Sequence, residues 1–271
     1  MQLFSRVSWS LVASLACFAV AVNATDGGVL EASLVFPRNE TYAPTDSLPI
    51  VFAFQNAELA EHFNFDLYYT IRNATDIWSN ETVSFFQNLE WANLSSAEPY
   101  FASTFYRDKF LVEGRWELLW QLTWGACREE DAIMRAPPRV SNMTLGGIDF
   151  TIKRGAQVMD LVAGTANDKP CTEGPGLAVN VTGEVKHDPR NNACAVVVSS
   201  STPTPNPCRV SIGSATAASI SASYTARACN VNVTFPPDFC PTKEDSSSER
   251  LVVAGMVSLA AVFGAFGFLL L

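Results

Sequence analysis

The segment "RWELLWQLTW", Arg115–Trp124, constrains the fold of this chain more than any other. Trp116, Leu118, Trp120, Leu122 and Trp124 recur at every second position, with Arg115, Glu117, Gln121 and Thr123 among the residues between them. A β-strand turns successive side chains to opposite faces, so this spacing gathers five large apolar groups on one side. A helix would scatter the same row around its axis. Two uses are open to such a row: the core of a sheet protein, or an exposed aromatic platform for stacking sugars. The polar residues between the tryptophans need the solvent side, which assigns the row to the core.

Other windows repeat the pattern. "LEASLVF" sets Leu30, Ala32, Leu34 and Phe36 on one face until Pro37 ends it, and "PIVFAF" reads as a strand covered on both faces. "FNFDLYYTI" alternates at Phe63, Phe65, Leu67, Tyr69 and Ile71, and "IDFTI" at Ile148, Phe150 and Ile152. Period-two patterning cut by Pro, Gly and Asn clusters predicts an all-β protein, with an antiparallel β-sandwich over residues 25–160. "LVEGRWELLW" also resembles the corner that leads into a late strand of an immunoglobulin-like sandwich, with Trp116 where Tyr is usual.

From residue 161 to 245 aromatic residues thin out, and Cys, Ser, Thr and Pro rise. "LAVNVTGEV" and "NVNVTF" alternate as strands, and the run "SIGSATAASISASYTA" is read as small-residue strands. "SSSTPTPNP", Ser199–Pro207, is a Pro-rich loop whose hydroxyls are candidate O-glycan sites. These features predict a disulfide-rich β extension, packed on the sandwich or continuing it.

The compartment follows from both ends of the chain. Arg6 precedes "LVASLACFAVAV", an apolar run too short to span a bilayer, and "VNA" suits signal peptidase. Residues 1–24 are expected to be a signal peptide, leaving Thr25 first. Six cysteines then remain, Cys127, Cys171, Cys194, Cys208, Cys229 and Cys240, an even set in an oxidising compartment. Three disulfides are expected, and the sequence does not choose among the 15 pairings. Seven sequons beyond the expected signal peptide, at Asn39, Asn73, Asn80, Asn93, Asn142, Asn180 and Asn232, predict a glycoprotein; Asn23 heads an eighth that is expected to leave with the signal. In residues 246–271, Ser246–Ser248 precede "ER" and an uncharged run from Leu251 to Leu271. No Lys or Arg follows that run, so it is read as a glycosylphosphatidylinositol (GPI) attachment signal, with Ser246 the candidate attachment site. The two-residue polar spacer is shorter than the usual ~8–12, and a retained single-pass helix is the alternative. The protein is expected at the cell surface, on the plasma membrane or transferred to the wall.

Formal net charge is −9, from 18 Lys plus Arg against 27 Asp plus Glu, which disfavours nucleic acid as a partner. No cofactor is expected: there is no phosphate-cradling Gly loop, and Gly146–Gly147 stands alone. No metal is expected either, with two histidines and no zinc-site Cys spacing. His62 in "ELAEHF" and His187 in "VKHDP" each adjoin a carboxylate, but no serine lies in a nucleophile elbow, and both are read as surface histidines. "REED", Arg128–Asp131, is read as a solvated loop rather than part of a glycosidase acid pair. Thr25 at the mature terminus excludes a copper monooxygenase, which needs His there. No catalytic residue is assigned. The expected role is structural or adhesive, and a wall-glycan-binding module or glycan-active enzyme is the alternative.

At "LEASLVFPRNETYAP", "PIVFAFQN", "GRWELLWQLTW" and "SSSTPTPNPCRVSI…ISASYTARAC" the chain resembles a family of secreted fungal surface proteins catalogued as domain of unknown function 7136. The resemblance covers nearly all of the mature chain, including the order of the later cysteines. It implies a secreted or wall-associated protein and no particular activity, so it transfers no functional residue.

Overall fold

The computed structural model describes residues 27–76, 82–107, 109–132, 134, 137–169, 171, 174–186, 193–198, 203–230 and 240. The tryptophan segment lies in the longest strand, β7 (Gly114–Arg128). Its neighbours are β8 (Val140–Ile152) on one side and β4 (Asp66–Asn73) on the other, both antiparallel. β5 (Val83–Asn88) pairs with β4, and the two-residue β2 (Thr41–Tyr42) adds to the end of β8. The second sheet runs β10 (Ala193–Val197), β9 (Gly176–Lys186), β1 (Gly28–Phe36), β3 (Ser47–Gln55), β6 (Tyr100–Arg107). A short parallel pairing, Val196 with Cys127 and Val197 with Arg128, joins the two sheets into one ten-stranded network.

The strand order is informative. β1-β3-β6 on one sheet and β5-β4-β7-β8 on the other follow the order A-B-E and C′-C-F-G of an immunoglobulin-type sandwich. Trp116 occupies the expected corner, and its indole N–H donates to the Val112 carbonyl at 3.3 Å, four residues upstream. β9 and β10 extend the first sheet beyond β1, with β9 paired to β1 from Gly28–Val181 to Ser33–Gly176.

The core lies between the sheets, and the alternating rows fill it. All five members of the β7 row are buried, as are Leu67, Tyr69 and Ile71 of β4 and Ile50, Phe52 and Phe54 of β3. Trp120 meets Phe52 edge-on, with ring centroids 5.6 Å apart, and lies over Gly146 of β8, where a side chain would collide with the indole. Gly146 is thus a seat for a ring, while Gly147 makes room for Leu119. "PIVFAF" is buried throughout, and Val210, Ile212 and Ile220 of the C-terminal region add a covering to the same apolar cluster.

That covering contains one departure from the sequence reading. The small-residue run forms a helix, α2 (Ser214–Ala228), following a one-turn helix α1 (Leu161–Gly164). Alanine has the highest helix propensity, and serine is tolerated where it faces water. The buried stripe is thin: Ile220 is buried, Ala217 packs on the core, and Tyr224 stacks on Phe105 of β6 at 4.3 Å. The Pro-rich loop is fixed below β1 by Glu31, a buried carboxylate that accepts from Arg209 Nη2 at 2.6 Å, Asn206 N at 3.0 Å and Gln55 Nε2 at 3.3 Å.

Candidate functional site

The cysteines pair as Cys127–Cys194, Cys171–Cys208 and Cys229–Cys240. The first bond clamps the junction of the sheets, the second fastens the Pro-rich loop, and the third begins at the end of α2. Among the described sequons, Asn39 and Asn93 are exposed, and Asn142 and Asn180 are half-buried on β8 and β9. Asn93 accepts from the Ser95 hydroxyl at 3.0 Å, and Asn142 Nδ2 donates to the Val140 carbonyl at 3.0 Å. Asn73 differs. It is 4 % exposed at the end of β4, and its Oδ1 accepts from the backbone N–H groups of Thr75 and Asp76 at 2.9 and 3.2 Å. Asn80, Asn232, His187 and Ser246 lie outside the described residues, as do residues 1–24 and 246–271. Among the described residues no helix is long and apolar enough to cross a membrane.

The groups weighed for catalysis are dispersed. His62 Nε2 lies 2.7 Å from Glu184 of β9. In the REED segment Arg128 bonds to Glu130 and Asp131 at 3.2 and 3.3 Å. A cleft of about 420 Å³ opens along β8, with Glu40, Glu117 and Asp149 in its wall. Glu117 and Asp149 face each other in register, but Glu117 is held by Arg72 at 2.5 Å and Asp149 by Arg115 at 3.4 Å. Glu40 accepts from Gln157 Nε2 at 2.5 Å. A glycosidase pair needs one carboxyl kept protonated and another facing it across the substrate; here the facing acids are each beside a guanidinium.

The outward face of β5-β4-β7-β8 is the more distinctive surface. Because paired residues share a face, the register lays Phe86, Tyr68, Gln121 and Leu145 in one row across four strands. Phe86 is 60 % exposed, Leu145 59 % and Tyr68 42 %. Thr70 donates to the Tyr68 hydroxyl at 3.2 Å from two residues along the strand, so the Tyr68 side chain leans along the sheet toward Thr70. The Ser84 and Thr70 hydroxyls also hold the Tyr68 phenol below its ordinary pKa. On one side runs the row Asn88, Asp66, Thr123, Met143, where Asn88 Nδ2 donates to Asp66 Oδ1 at 2.7 Å. On the other, Thr70 and Ser84 bond to each other at 3.1 Å beside Leu119. Farther along, Arg72–Glu117 and Arg115–Asp149 close the face with paired charges.

None of the described sequon asparagines points onto these rows. Asn73 and Asn142 belong to the same sheet but sit in register with Trp116 and Trp124, on the core side. Sequence reading placed the aromatic row of β7 correctly inside and missed the outer one, because Tyr68 and Phe86 come from different strands and only the register joins them.

No curated protein and no solved structure matches the chain. The family model of a domain of unknown function (DUF7136) matches residues 25–240, a span that takes in every described strand and helix and the three disulfides. The chain therefore belongs to the DUF7136 family.

Proposed function

We propose that this is an extracellular, N-glycosylated fungal surface protein with an adhesive or structural, non-catalytic role. It is held at the membrane by a GPI anchor added near Ser246, or by a retained C-terminal helix, and is placed on or transferred to the cell wall. The observation that carries the adhesive reading is the open face around Tyr68 and Phe86: exposed rings on a sheet, free of described sequons, in a chain with eight of them, Asn23 of the expected signal peptide included. Glycans would shield the rest of the surface and leave this face to make contact. Three disulfides support an oxidising compartment. The arginine partners of Glu117 and Asp149 support a role without acid–base chemistry.

The test is cellular. Yeast displaying the full-length chain is expected to attach to isolated fungal walls or to one another more than yeast displaying an unrelated anchored protein. Phosphatidylinositol-specific phospholipase C is expected to release it. Equal attachment by both strains would overturn the adhesive role, and recovery of a 251–271 peptide in the mature protein would replace the GPI anchor with the retained helix. Turnover of β-glucan, chitin or mannan, abolished by changing one carboxylate, would make it an enzyme.

The same face favours a second reading, a wall-glycan-binding module, and its chemistry is specific enough to pursue.

A further inference from the structure

We infer that the row Phe86–Tyr68–Gln121 binds a neutral, extended polysaccharide laid across the strands. The inference rests on the adhesive reading above and gives its contact face a ligand. Four observations converge. The Tyr68 ring leans along its strand to the Thr70 hydroxyl and stays 42 % exposed, with Phe86, 60 % exposed, directly opposite it in register. A pyranose has an apolar C–H side that stacks on such a ring, while its hydroxyls leave at the edges. The edges here hold Gln121, Thr123, Asn88 and Ser84, amides and hydroxyls that both donate and accept. Gln121 and Thr123 bond to each other at 3.2 Å and need only rotate outward to meet a sugar. Neighbouring strands are about 4.8 Å apart, close to the length of one pyranose in an extended chain, so successive sugars meet successive strands.

Charge decides between kinds of polymer. The only ionic group in the three central rows is Asp66, held by Asn88 at 2.7 Å, and the arginines at the far end are already paired. In a chain of net charge −9, such a face has nothing to hold a polyanion and repels it. A second copy of the chain is a poorer occupant. It would press its own apolar centre on Gln121, Thr70 and Ser84 and strip their water without replacing the hydrogen bonds. The hydroxyls of a sugar replace them.

The experiment is affinity electrophoresis of the detergent-extracted full-length protein through gels containing β-glucan, mannan or a soluble chitin derivative, with carboxymethyl cellulose as the polyanion. Retardation is expected in at least one neutral gel and absent in the polyanion gel. Tyr68→Ala and Phe86→Ala are each expected to weaken that binding about tenfold or more, and Gln121→Ala to weaken it less, with thermal unfolding unchanged because all three lie on the surface. Saturation-transfer NMR on the unmodified protein, from aromatic protons to sugar C–H protons, reads the stacking without any variant. Three results would overturn the inference: no retardation in any neutral gel while displaying cells still adhere, which leaves the adhesive role standing; retardation unaffected by the ring variants; or a concentration-dependent dimer abolished by Tyr68→Ala, which makes the face a homophilic contact.

Discussion

Gly146 shows how one residue can matter for what it lacks. Trp120 lies where a β-carbon on Gly146 would sit, so Gly146→Ala must push the indole out of the packing it shares with Phe52. The expected cost is about 1–3 kcal/mol, against roughly 3–5 kcal/mol for Trp120→Ala, which leaves a cavity; chemical denaturation of the two variants measures both. Gly155→Ala is not an equivalent control despite the open space there, since its φ of +79° favours glycine for a different reason. Asn73 makes a second point at this scale. Its sequon matches those at Asn39 and Asn93, but its carbonyl oxygen caps two backbone N–H groups inside the fold. Glycopeptide mass spectrometry is expected to find Asn39 and Asn93 occupied and Asn73 bare. Asn73→Ala is expected to cost about 1–3 kcal/mol by orphaning those donors, while Asn39→Gln leaves stability unchanged.

At the scale of elements, three strands bring tyrosines into the core and give the fold a defined alkaline limit. Burial pushes the phenols of Tyr42 on β2 and Tyr69 on β4 far above their ordinary value, and that of Tyr106 on β6 up to about 12. In the unfolded chain all three ionise near pH 10. Their folded pKa values are higher, so the native state holds more protons between these limits, and stability falls as pH rises above about 10. Absorbance at 295 nm is expected to show Tyr68 ionising first and reversibly, with Tyr42, Tyr69 and Tyr106 following only as far-ultraviolet circular dichroism is lost. Coincident titration of Tyr42, Tyr68, Tyr69 and Tyr106 before unfolding would contradict this placement. Strands such as β1, β4 and β7 were legible because alternation is a local signal: each residue reports its own face. The helix α2 was not, since its buried stripe consists of one isoleucine, small residues and one tyrosine, and small residues carry almost no hydrophobic contrast. The outer aromatic face was illegible for another reason. Tyr68 and Phe86 meet only through strand register, which depends on the whole sheet and leaves no mark at either position.

For the whole molecule, the parallel contact between β10 and β7 matters most, because it is where the two sheets become one. Cys127 and Cys194 close it and are both fully buried, whereas the other two disulfides involve half-buried cysteines. Mild reductant is expected to open Cys171–Cys208 and Cys229–Cys240 first, with Cys127–Cys194 surviving until the sandwich itself opens; alkylation followed by peptide mapping reads the order. Replacing Cys127 and Cys194 together by Ala is expected to lower stability by about 2–4 kcal/mol and to loosen β9 and β10 along with the junction, since these strands belong to the same sheet as β1. The cross-links also overlap along the chain, with Cys171 lying between Cys127 and Cys194, and Cys208 beyond them. When the molecule is stretched by its ends, tension crosses from Cys127 directly to Cys194, and only the stretch from there to Cys208 can be drawn out. Beyond that point a second covalent shortcut removes the segment between Cys229 and Cys240. Residues 128–193 and 230–239 therefore cannot lengthen under load, and a pull that breaks hydrogen bonds reels out thread from the chain before Cys127 and from the two short stretches that flank Cys208.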